Sequence, residues 1–175
     1  MKRLAIFLVL ALHCLQASAA ELAFEEESTL PLVQMALVYK NGSITDPDDK
    51  LGLTNITGEM LMRGTKSRTR EQLDEAIDRL GARIDVETRV EALIIRIAVL
   101  SRKLPELLEI MADILSAPGF LDAELKKLKS EVGSSILEEL SRDATVGQHK
   151  FAEFLFNGHP YGRRILGKMP TVEKI

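Results

Sequence analysis

Two alternating segments separated by a few residues constrain this chain most. Ala82, Ile84 and Val86 alternate with Arg83, Asp85 and Glu87, and Leu93, Ile95, Ile97 and Val99 alternate with Ile94, Arg96 and Ala98. A period of two places one set of side chains on each face of a strand. The short connection through Thr88 to Glu91 predicts an antiparallel hairpin. A third apolar run, Pro31 to Tyr39, ends in the turn sequence Lys40-Asn41-Gly42-Ser43 and reads as a strand buried on both faces.

Helical periods surround these strands. After the polar loop Asp46-Pro47-Asp48-Asp49, with Asp49 as the expected cap, Leu53, Ile56, Met60 and Leu61 recur at helical spacing up to Gly64. Thr69 and Gln72 form a capping-box pair that opens a second helix, whose core face is Leu73, Ala76, Ile77 and Leu80 before Gly81. A third helix is expected from Ser101, with Leu104, Leu107, Leu108, Met111 and Leu115 inward, broken at Pro118-Gly119. Asp122 then caps a long helix carrying Leu125, Leu128, Val132 and Ile136, and Phe151, Phe154 and Leu155 recur at helical spacing beyond it. The order strand, helix, helix, strand, strand, helix, helix predicts an α+β fold with helices on one face of a mainly antiparallel sheet. The chain has no Trp and 5% aromatic residues, so its core has to be aliphatic.

Residues 1–20 read as a secretory signal peptide. Lys2 and Arg3 form the charged start, Leu4 to Leu12 the apolar stretch, and Ala17-Ser18-Ala19 the small-residue cleavage site. That stretch is too short to cross a bilayer core of roughly 30 Å. The expected mature chain, residues 21–175, is exported to a periplasmic or secreted location and has no membrane span. The only cysteine, Cys14, falls within the removed segment, which excludes disulfides, thiolate zinc sites and a cysteine nucleophile. A net charge of −3 on nearly balanced acids and bases gives no sign of nucleic acid as a partner. The final residues, Met169 to Ile175, read as the start of a further helix, so truncation at the C-terminus is expected.

Taken in order, several segments resemble the N-terminal domain of the pitrilysin/insulinase metallopeptidases. They are Val38-Tyr39-Lys40-Asn41-Gly42-Ser43, Leu80-Gly81-Ala82, Leu115 to Phe120 followed by Glu124-Leu125-Lys126-Lys127, Ile136 to Leu140, and His159-Pro160-Tyr161-Gly162-Arg163. Gly52 to Thr65 resembles the helix that carries the family's inverted zinc motif, H-x-x-E-H. Where the motif has His, Glu and His, this chain has Asn55, Gly58 and Glu59.

The resemblance implies a third zinc ligand at Glu139, or at Glu138 if the register shifts by one. Residues i and i+4 share a helical face, so Asn55 and Glu59 keep the geometry of the two histidines. An amide oxygen is a weak zinc ligand, and Gly58 offers no base to activate water. The expectation is that no catalytic residue and no zinc cofactor is present, with Glu139 a vestige of the metal site. Gly58 would instead permit close helix packing and Asn55 would be a buried polar group satisfied locally. Asn55, Glu59 and Glu139 could otherwise hold a hard cation through oxygen.

By analogy with family members built from paired halves, the chain is expected to pair with a zinc-bearing homologous subunit and to help enclose peptide substrate. The alternatives are an active zinc metalloendopeptidase with an unconventional site, in which His149 or His159 converges on Glu139, or a structural scaffold.

Overall fold

The computed structural model describes residues 21–26 and 29–175. The signal-peptide reading of residues 1–20, Cys14 included, lies outside the described residues. Contacts divide the chain into a unit ending at Leu30 and a unit Pro31–Ile175, and the fold is that of the second.

Three strands, β1 (Leu32–Tyr39), β2 (Arg83–Thr88) and β3 (Leu93–Leu100), form an antiparallel sheet in the order β1-β3-β2. Leu32 pairs with Leu100 and Tyr39 with Leu93 along one side of β3, while Arg83 pairs with Ala98 and Thr88 with Leu93 along the other. The helices are α1 (Leu53–Met60), α2 (Arg70–Arg79), α3 (Leu104–Ser116), α4 (Asp122–Ser141), α5 (Asp143–Leu155) and α6 (Met169–Val172). The architecture is the expected α+β arrangement.

Two aliphatic clusters hold it together. One face of the sheet supplies Ile95, Ile97 and Val99, and α2 and α3 close over them with Leu73, Ile77, Leu107, Met111 and Ile114. The second cluster joins α1 to α4 and α6 through Ile56, Met60, Leu128, Val132, Ile136 and Val172. The capping box predicted at Thr69 is formed, with Gln72 N–H donating to the Thr69 hydroxyl and Thr69 N–H to the Gln72 side chain.

Several expectations need correcting. β1 is not buried on both faces, because α2 and α3 cover only one face of the sheet. Val33, Met35 and Leu37 point into the sheet–helix core, while Leu32, Val38 and Tyr39 are exposed. A run of apolar residues cannot distinguish these cases when the outer face is also apolar. In α3 the inward face is Leu107, Ile110, Met111 and Ile114, and Leu108 and Leu115 are exposed. The 3-10 turn Ser101–Lys103 delays that helix to Leu104 and so rotates its face. Phe151, Phe154 and Leu155 lie in a helix, α5, as their spacing predicts, and all three are exposed; α5 has no buried residue.

The helix entering the site is not capped by Asp49. The Asp46 carboxylate accepts hydrogen bonds from the backbone N–H of Gly52 at 2.9 Å and of Thr54 at 3.0 Å, and from the Thr54 hydroxyl at 2.6 Å. A 3-10 turn over Asp48–Lys50 and a left-handed Gly52 (φ 97°) bring the chain back over Asp46. The capping group is therefore six to eight residues distant in sequence, beyond the reach of a local motif.

Candidate functional site

Helix α1 carries the motif positions. Asn55 is buried at 8% exposure, and its Nδ2 donates to Glu59 Oε1 at 3.0 Å. The i, i+4 geometry holds, and it brings an amide and a carboxylate into contact with each other. Two imidazoles so placed would present lone pairs to a shared ion. Here the facing donor and acceptor consume one another.

Gly58 points at the hairpin. A Cβ built at this position would lie 2.7 Å from Leu93 Cδ1, 3.1 Å from Val86 Cγ1 and 3.5 Å from Thr88 Oγ1. The first two distances are shorter than ordinary van der Waals contact, so α1 approaches β2 and β3 closely because residue 58 lacks a side chain. The direction in which a motif glutamate would start is filled by Leu93.

Glu139, near the end of α4, meets a histidine from α5. His149 Nε2 lies 3.3 Å from Glu139 Oε2, without the angle of a hydrogen bond, and that nitrogen is buried with no hydrogen-bond partner. Neighbouring Glu138 is exposed and pairs with Arg142. His159 lies elsewhere, with its Nδ1 accepting from Tyr161 N–H at 3.2 Å. Of the two histidines considered as unconventional ligands, only His149 reaches Glu139. Among the described residues, no three His, Cys, Asp or Glu side chains come together in a group able to hold a metal ion.

The charged residue that sequence reasoning missed is Arg63, directly after α1. It is buried at 6% exposure and binds both carboxylate oxygens of Glu131, with Nη1 at 3.3 Å from Oε1. The same Nη1 lies 3.5 Å from Oε2 of Glu124, itself 7% exposed. That oxygen has no hydrogen bond, so only the charges of Arg63 and, at 3.7 Å, Arg70 hold it. Lys127 Nζ donates to the other oxygen at 2.6 Å. The cluster fastens α1 to α4 beside the motif.

This cluster, together with Asp113 in contact with Thr65, Ser67 and Arg68, contributes to the acid response. The hydrogen bond from Arg63 holds the Glu131 carboxyl below its ordinary 4.5. The hydrogen bond from Lys127, aided by the charges of Lys127, Arg70 and Arg63, does the same for Glu124. Hydroxyl hydrogen bonds from Ser67 and Thr65, with the Arg68 charge, hold Asp113 below 3.8. A depressed folded-state pKa means that the unfolded chain binds more protons, so this stability is present above the ordinary values and lost as pH falls through the folded ones. The melting temperature is therefore expected to decline below about pH 4.5, and Glu131→Gln to make that decline shallower. Thermal melts across an acid series measure both.

A model of the family described as insulinase (peptidase family M16) matches residues 21–168. An uncharacterized zinc protease of Rickettsia bellii is 28% identical over 81% of this chain and 34% of its own length. The non-peptidase homolog YmxG of Helicobacter pylori is 24% identical across the whole of this chain and 43% of its own. Among solved structures, an inactive domain of peptidase M16 from Pseudomonas fluorescens superposes with a TM-score of 0.79 at 19% identity, over 84% of this chain and 36% of that one. The chain thus spans about a third to two fifths of the length of these relatives.

Proposed function

The chain belongs to the insulinase family of M16 peptidases, and we propose that it is a non-catalytic member, pairing with a zinc-bearing homologue to help enclose peptide substrate. One observation carries the reading: the three motif positions are committed to one another and to the core. Asn55 and Glu59 are joined by a hydrogen bond, and the space in front of Gly58 belongs to Leu93. These residues do not fit zinc, which favours imidazole nitrogen or thiolate sulfur in tetrahedral array. Without a base at position 58, the general-base contribution of about 10²- to 10⁴-fold also has no source.

Two further observations support the reading. A relative named as a non-peptidase matches the full chain. Leu137 and Leu140 of α4 and Phe151, Phe154 and Leu155 of α5 are exposed, an apolar surface suited to contact with further polypeptide. Residues 21–175 form the family domain in this proposal, and the signal-peptide pattern in residues 1–20 supports export to a periplasmic or secreted location. Among the described residues, no helix is long and apolar enough to cross a membrane.

The purified chain is expected to leave an unstructured fluorogenic peptide uncut. Adding a homologue with an intact H-x-x-E-H helix should produce chelator-sensitive cleavage above that of the homologue alone. Chelator-sensitive cleavage by this chain alone would contradict the proposal.

A further inference from the structure

Away from the motif helix, a cavity of about 530 Å³ opens between the tip of the β2–β3 hairpin and the segment that follows α5. This volume is within the usual range for a ligand site, roughly 300–1,000 Å³. Its floor is Ile94, which alternation turns to the sheet face opposite the main core and which is only 8% exposed. Val90 and Ala92 form one apolar wall, and Phe156 and Tyr161 the other.

Both walls are held in place. Arg89 N–H donates to Ala92 C=O at 2.7 Å to close the hairpin tip. Ser43 N–H then donates to Arg89 C=O at 3.0 Å and Ile44 N–H to Val90 C=O at 2.8 Å. This contact requires glycine at 42, since a Cβ there would sit 2.4 Å from backbone atoms of Arg89, Val90 and Ala92. On the opposite wall, Tyr161 packs edge-on against Phe156 at 5.7 Å and against His159 at 4.8 Å between ring centroids. The Tyr161 hydroxyl donates to Glu91 and ties the two walls together.

The two charged residues at the rim differ in their partners. Arg89 pairs with Glu87, its Nε 2.6 Å from Oε1, and Glu87 also pairs with Arg96 of β3. Glu91 is exposed and forms no ion pair among the described residues. Its negative charge is felt by Tyr161, whose hydroxyl is held above its ordinary pKa by the hydrogen bond to Glu91 and by that charge. The rim therefore offers, in Glu91, one carboxylate free of an ion pair beside two aromatic rings, above an apolar floor. Long alkyl stems bury on apolar surface while their charged heads stay at its edge, and aromatic faces attract cations.

We propose that this cavity binds a lysine or arginine side chain of an extended peptide, its alkyl stem on Ile94, Ala92 and Phe156 and its cationic head between Glu91 and Tyr161. The proposal names the side-chain class for the peptide contact under the proposed function and rests on that reading. Its failure is separable, because zinc content and cleavage do not report on this cavity.

The test uses the full chain carrying Tyr39→Phe. The chain has two Tyr and no Trp, so tyrosine emission then reports on Tyr161 alone. The probes are acetylated, amidated hexapeptides of glycine and alanine with one central lysine or, as control, norleucine, which keeps the apolar stem without the charge. Saturable quenching is expected with the lysine peptide, with binding about tenfold weaker for norleucine, as loss of a charge-assisted hydrogen bond implies. Glu91→Gln keeps an acceptor for the Tyr161 hydroxyl and removes the charge, and it should weaken lysine-peptide binding by a similar factor of about ten. Phe156→Ala should weaken both peptides. Equal affinity for lysine and norleucine, an unchanged affinity in Glu91→Gln with an intact circular dichroism spectrum, or no saturable response to either peptide would overturn the assignment.

Discussion

Gly58→Glu is expected to destabilise the fold by about 3 kcal/mol, although it restores the residue that the active motif carries. Replacing glycine inside a helix gains about 1 kcal/mol of propensity at most. Against this, the new Cβ would meet Leu93 Cδ1 at 2.7 Å and Val86 Cγ1 at 3.1 Å, and forcing atoms into a packed contact costs about 1–3 kcal/mol. The carboxylate that follows must then leave water for an apolar surface, at a further cost of about 1–3 kcal/mol unless it finds a partner. Leu93 ends in a movable methyl, whereas Val86 is branched and stiff, so the strain is shared unequally. Leu93→Ala should therefore relieve part of the loss. In denaturant titrations of the four proteins of a double-mutant cycle, a favourable coupling of about 1 kcal/mol or more is expected. Strictly additive losses would mean that Leu93 does not occupy the glutamate's place.

Arg63→Ala is the second large effect. Removing the guanidinium strips Glu131 of both its hydrogen bonds and leaves Glu124 Oε2 with only Arg70 at 3.7 Å. A buried carboxylate that loses its counter-charge is destabilising well beyond the worth of an exposed ion pair. Glu131 is half exposed and water will screen it, which moderates the loss. A fall in melting temperature on the order of 10 °C is expected at neutral pH. The fall should shrink at acid pH, as protonation of Glu124 and Glu131 through their lowered folded-state values leaves the arginine less to hold. An Arg63→Ala protein that melts with the parent at neutral and acid pH alike would show that α1 and α4 are joined by the apolar contacts of Ile56, Met60, Leu128 and Val132 alone.

The parts of this fold that were legible in sequence are those governed by local rules. The hairpin declared itself through alternation at 82–87 and the apolar run at 93–99, and α2 through the Thr69–Gln72 box and its left-handed Gly81. The placement of Asn55, Gly58 and Glu59 on one helix was legible for the same reason, since helical offsets are local. The rest depends on partners distant in the chain. Asp46 caps α1 across a turn, Arg63 finds Glu131 at 68 positions' separation, and Leu93 fills the space at Gly58 from another element. The edge position of β1 follows from sheet order, which composition does not encode. The contact of His149 with Glu139 depends on how α5 folds back at Arg142, and no spacing rule for metal ligands anticipates it.

These observations give one physical account of the motif helix. Under the proposed non-catalytic reading, the close packing at Gly58 and the Asn55–Glu59 hydrogen bond take the places that base and metal would need. The most direct measurement is the zinc content of the full chain, purified without chelator, dialysed against excess zinc and then desalted. The account predicts well under one equivalent by elemental analysis and no saturable zinc heat by titration calorimetry. One tightly held equivalent per chain, lost on Glu139→Ala or His149→Ala, would contradict it.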